Sequence, residues 1–120
     1  MRFALLLEAT EASEAGSTSA EQRAAFERYE AELAQAGVLL AAEGLTASAH
    51  GTRMRNDHRT IEREKGPFSV ASGLLDGIWL IDVSSKDEAV RWATDARQLA
   101  LQYGDTALAA AIERDLATIR

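Results

Sequence analysis

The chain has 120 residues, 47% hydrophobic and 27% charged, with no Cys; that length supports one compact domain burying roughly two-thirds of its unfolded surface. The absence of Cys excludes a disulfide scaffold, a thiolate metal site and a cysteine nucleophile. Thirteen Lys and Arg against 19 Asp and Glu leave a net charge of -6, which argues against nucleic-acid and anionic-membrane partners.

Arg2 to Glu8, RFALLLE, is apolar on both alternating faces and predicts a buried central strand. The apolar stretch is far below the roughly 20 residues that span a bilayer. Glu8 and Glu11 interrupt it too early for a signal peptide, so a soluble cytoplasmic domain is expected. Thr10 to Thr18 is small and polar and predicts a solvated loop. Ser19 with Gln22, or Thr18 with Glu21, then opens a helix from Ala20 to Ala36, along which Phe26, Tyr29 and Leu33 recur at helical spacing. Gly37 suits the position just past its end. Val38 to Leu45 predicts a second strand, interrupted by Glu43. Gly51 to Arg55 and His58 to Glu62 predict a hairpin turning at Asn56-Asp57.

Ile78 to Val83 is a further strand apolar on both faces. Ser85 with Glu88 caps another helix carrying the stripe Val90, Ala93, Ala96 and Ala100. In the tail, Leu108, Ile112, Leu116 and Ile119 are spaced as a helical stripe that Asp105 would cap, which predicts a helical extension over 104–120. The chain is therefore a single α+β domain, with helices on one face of a mostly antiparallel sheet. Its central strands are apolar on both faces, so the second face must meet the third helix, a second subunit or a ligand. A homodimer joined sheet to sheet solves that burial most economically.

RFALLLE, the segment AGVLLAAEGL from Ala36, the ribbon GTRMR, then Gly66-Pro67-Phe68 and DGIWLIDVSSKDEAVRWA resemble, in order and spacing, the YCII-related (DGPF) proteins. The resemblance covers about the first hundred residues. It implies a ferredoxin-like fold pairing into a dimeric α/β barrel. Three departures accompany it. Lys65 stands where the family commonly has the Asp of its motif, SVASGLL follows the motif in place of a Glu and a Lys-Glu pair, and Phe26 occupies the position of a His in the enzyme-like branch. The family also closes on a short strand, whereas this tail has helical spacing.

Several residues are candidates for chemistry. Glu43, inside an apolar strand, would serve as a general acid or base if buried; otherwise it faces solvent or pairs with an arginine. His50 is the second candidate for moving a proton. Arg53 and Arg55 on the ribbon would fork a carboxylate or phosphate, or else make cross-strand ion pairs. Asp76-Gly77 is a turn or the rim of a cleft. Trp79 and Tyr29 either line a ligand cleft or belong to the core or a dimer interface. Phe26 would turn a reactive wall apolar. His50 and His58 are eight apart with no carboxylate at helical spacing, so no metal is expected. No Gly-rich phosphate loop or nucleophile elbow is present, and no cofactor is expected. The reading that follows is a homodimer binding a small metabolite in a cleft between sheet and helices. The alternatives are a cofactor-independent isomerase, lyase or oxygenase acting on a small aromatic or carboxylate-bearing substrate, and a regulatory protein-interaction module.

Overall fold

The computed structural model describes residues 1–114 and 116–119. Its elements are β1 (Arg2–Glu8), α1 (Glu11–Glu14), α2 (Ala20–Gln35), β2 (Leu39–Gly44), β3 (Thr52–Asp57), β4 (Thr60–Lys65), β5 (Leu75–Asp82), α3 (Lys86–Gln102), α4 (Thr106–Arg114) and β6 (Leu116–Ile119). Four strands form one antiparallel sheet in the order β2-β5-β1-β6, and β3 and β4 form a separate ribbon. With the ribbon set aside, the order is that of a ferredoxin-like α+β fold.

Local chemistry sets the helix ends. Ser19 Oγ accepts from the Gln22 N–H at 3.1 Å and Ser85 Oγ from the Glu88 N–H at 3.2 Å, each satisfying a first-turn donor that has no helical partner. Gly37, at φ +75°, ends α2 in the left-handed region that costs glycine nothing.

Alternation along the strands divides the sheet's faces. Phe3, Leu5, Trp79 and Ile81 form one buried cluster with Tyr29 and Leu33 of α2, Ala93, Ala96 and Ala100 of α3, and Leu108 and Ile112 of α4. Leu33 and Ile81 are fully buried, each contributing roughly 2 kcal/mol of apolar transfer. All three long helices thus pack on one face. Ala4 opposite Leu80, and Leu6 opposite Ile78, fall on the other face, where Leu6, Ile78 and Leu80 keep part of their surface exposed.

Four expectations are corrected. The tail is helical only over Thr106–Arg114; Leu116 to Ile119 pairs with β1, Leu5 opposite Leu116 and Arg2 opposite Ile119. Ladder hydrogen bonds along the open edge of β1 override the helical spacing. Asp115 and Arg120 of the expected helix lie outside the described residues. The polar loop after β1 holds a helical turn, α1, because Thr10 and Ser13 cap each other reciprocally at 2.8 and 3.1 Å. The ribbon turns at His58-Arg59, with Asn56 and Asp57 paired to Ile61 and Thr60. Its register is held from the base, where Thr52 faces Lys65 and the Gly66 N–H donates to the Gly51 carbonyl at 3.0 Å. On α3 the buried stripe starts at Ala89, and Val90 is exposed.

Candidate functional site

The sheet ends in a pair of facing glycines, Gly44 on β2 opposite Gly77 on β5. With no side chains there, and with β1 leaving the sheet at Glu8, a cleft of about 380 Å³ opens between the sheet's end and the first half of α2. The α2 side supplies Gln22, Phe26 and Glu30, spaced four apart and therefore in one row. Phe26 stacks on Trp79 with ring centroids 6.1 Å apart and planes 28° from parallel, and together they make the apolar wall. The Trp79 indole N–H donates to Glu30 Oε1 at 2.9 Å, which fixes both side chains.

The opposite rim is polar. Pairing shifts register between Leu7 and Glu8, with Leu7 opposite Gly77 but Glu8 opposite Leu75, so Asp76 is the extra residue of a β-bulge. A bulge re-aims its side chain, and Asp76 lines the cleft half-buried. Burial pushes the Asp76 carboxyl above its ordinary range. The Glu14 carboxylate pushes the same way, and Ser13 offsets part of the shift. Glu14 itself is held below its ordinary range by the Ser48 hydroxyl and backbone N–H, the latter at 2.8 Å.

A carboxyl raised on folding binds its proton more tightly in the native state, so its contribution to stability is greatest below the unfolded value and is lost as pH rises through the folded one. Asp76→Asn is therefore expected to raise the melting temperature at neutral pH, with the gain disappearing towards pH 3. Thermal melts of both proteins across that range check it; a loss of stability at neutral pH would contradict the burial argument.

Beneath this rim Ser48 is a hub. Besides holding Glu14, its Oγ accepts from the Phe68 N–H at 2.9 Å, and Arg53 lies over the Phe68 ring at 4.3 Å from its centroid. Two of the segments that carry the resemblance thus meet at one place: GTRMR through Arg53, and Gly66-Pro67-Phe68 through the Ser48 hub.

The YCII-related domain profile matches residues 1–103 of the chain. The chain belongs to the YCII-related family. No curated protein matches it. In this YCII-related domain the departures from the family pattern fall at distinct places. Phe26 stands in the cleft wall, Lys65 is an exposed residue at the base of the ribbon, and SVASGLL forms a short 3₁₀ turn at Val70–Ser72 leading into β5.

Of the residues singled out from the sequence, the YCII-related fold brings Phe26, Asp76 and Trp79 together around the cleft, with Glu43 exposed at its rim. Glu43 is exposed in the single chain, on the edge strand β2 and opposite Ile78 on the sheet face away from the helices. Tyr29 lies behind Trp79, at 5.0 Å between centroids, and is buried with its hydroxyl donating to the Trp92 carbonyl. It is a core residue, and burial holds its phenol proton well above the ordinary range. His50 sits exposed in a 3₁₀ turn at Ser48–His50, outside the cleft lining. Arg53 donates to Ser72 Oγ at 3.1 Å, and Arg55 faces Glu62 across the ribbon, so neither reaches the cleft. Asp76-Gly77 is part of β5 rather than a turn.

Sequence reasoning missed Ser13 and Glu14, which act on Asp76, Ser48, which holds Glu14, and Gln22 and Glu30 on α2. The Thr10-Ser13 capping box was a readable signal for the first of these. Nothing local announces that Ser48 will meet Glu14, which lies 34 residues away.

Proposed function

We propose that this YCII-related domain is a homodimer that binds a small metabolite in the cleft between α2 and the end of the sheet. The observation that carries the reading is the cleft: a volume of about 380 Å³ with a stacked aromatic wall and a half-buried carboxyl on the facing rim. Apolar walls with a few placed polar groups are the usual make-up of small-molecule sites. The dimer is supported by the second sheet face, where Ala4, Leu6, Ile78 and Leu80 face away from the helices. Among the described residues no helix is long and apolar enough to cross a membrane.

Native mass spectrometry of freshly purified protein tests both parts. A dimer with a reproducible added mass is the expected result. A monomer at micromolar concentration would overturn the dimer, and bare chains would count against a tightly held ligand. Leu80→Arg places a charge in the proposed interface at a cost of about 3 kcal/mol or more per copy. The dimer constant should therefore weaken by at least about a hundredfold, with the helical content unchanged because Leu80 lies outside the core cluster.

A second reading, proton transfer without a cofactor, is favoured by one observation. Asp76 combines cleft exposure with a raised proton affinity, as a general acid or base requires. Asp76, rather than Glu43 or His50, would then carry the proton. Loss of turnover of the co-purifying compound in Asp76→Asn, with binding retained, would decide for it.

A further inference from the structure

The hydrogen-bonding groups of the cleft are one-sided. Glu8, Glu27, Glu30, Asp76 and Asp105 line it, against Arg23 as the one cation among the described residues, and Arg23 is exposed. Gln22 adds an independent sign. It is 8% exposed and lines the cleft, and its Nε2 donates to Asp105 Oδ2 at 3.1 Å. Its carbonyl Oε1 has no donor among the described residues. A buried acceptor left without a donor costs free energy that an incoming N–H would recover. Asp105 is already engaged, since its Oδ1 also caps α4 through the Leu108 N–H at 2.9 Å. The demand is therefore for a donor supplied from outside.

We infer that the cleft takes a cationic ligand with a flat apolar body, an arylalkylamine in chemical class. Its ring lies along the Phe26–Trp79 wall, its ammonium sits against the Asp76 rim, and Gln22 Oε1 accepts one of its N–H groups. The inference rests on the cleft being a ligand site and adds the sign of the ligand's charge.

Three physical points favour it. An ammonium desolvated beside carboxylates makes short charge-assisted hydrogen bonds, and an aromatic wall attracts a cation as well as an apolar ring. An anion, by contrast, would enter the field of five carboxylates with one exposed arginine among the described residues to hold it, and like charges in a partly desolvated site repel strongly. A metal ion is a poorer fit, because no three His, Asp or Glu side chains among the described residues converge closely enough to hold one. The Asp76 carboxyl is raised by burial and by Glu14, and the positive charge of a bound ammonium opposes the Glu14 repulsion.

The test uses three probes of matched shape, phenylethylamine, phenylethanol and phenylpropanoate. Each is titrated into the full chain, with the Trp79 indole N–H resonance followed by NMR and affinity measured by calorimetry. The amine is expected to bind at least about tenfold more tightly than either of the others. Asp76→Asn should reduce that advantage to about threefold or less. Phenylethanol or phenylpropanoate binding as well as the amine, with the Trp79 resonance shifting, would overturn the charge assignment and leave the cleft reading standing. No shift of Trp79 with any of the three at millimolar concentration would overturn both.

Discussion

Trp79→Ala is expected to destabilise the fold by about 4 kcal/mol and to abolish binding in the cleft. Trp79 is 4% exposed, packs in the core cluster with Phe3, Leu5 and Ile81, and stacks against Phe26 and Tyr29. Truncation removes the apolar transfer of an indole and leaves a void that the paired strands β1 and β2 on either side cannot close. It also leaves Glu30 without the donor now held at 2.9 Å. Trp79→Phe separates the two roles. It keeps most of the packing, at a cost of about 1–2 kcal/mol, while removing the N–H that orients Glu30. Chemical denaturation of both variants measures the packing, and ligand titration of Trp79→Phe measures the wall. A loss below about 2 kcal/mol in Trp79→Ala would mean that the core closes without the indole.

The elements that were legible in the sequence are those whose signal is local. Residues 2–8 and 78–83 show two-sided apolar runs, residues 20–35 a row of large apolar residues behind a Ser cap, and residues 86–102 a Ser cap ahead of a stripe of alanines; each forms the predicted element. What was not legible depends on a partner far along the chain. Leu116 to Ile119 carries a helical spacing and becomes a strand because β1 has an edge to fill. The hairpin turns two residues later than its Asn-Asp dipeptide suggests because its base, not its tip, sets the register.

The same division runs through the site. Phe26 and Trp79 were visible as aromatic residues on elements that had to pack together. Asp76 was visible only as an alternative, because a bulge that turns a carboxylate towards a cleft has no signature in an Asp-Gly dipeptide. His50, Arg53 and Arg55 were attractive by residue type. The fold spends Arg53 on Phe68 and Ser72 and leaves His50 on the surface. Residue type alone does not assign a site; the groups must converge on one space.

Gly66→Ala is the second large effect, expected to cost about 3 kcal/mol. A Cβ built at Gly66 would lie 1.7 Å from the Ser48 carbonyl oxygen and 2.7 Å from its carbon. Both are backbone atoms, so no rotamer change relieves the clash, and either β4 or the Ser48 turn must move. Moving that turn withdraws the donors that hold Glu14 and the acceptor that holds the Phe68 N–H. The damage should spread to α1 and to the rim around Asp76, while α2 and α3 keep their packing. Hydrogen exchange is the discriminating measurement: faster exchange at residues 48–68 and 10–16, with the amides of α3 protected as before. Gly44→Ala is the control, since a Cβ there meets nothing within 4 Å; it should be neutral or stabilising by about 0.5 kcal/mol. Equal losses in the two variants would mean that glycine is needed for strand geometry in general. A loss confined to Gly66 would establish that the family's Gly-Pro-Phe word is held by contact with Ser48, which ties the ribbon to Glu14 of α1.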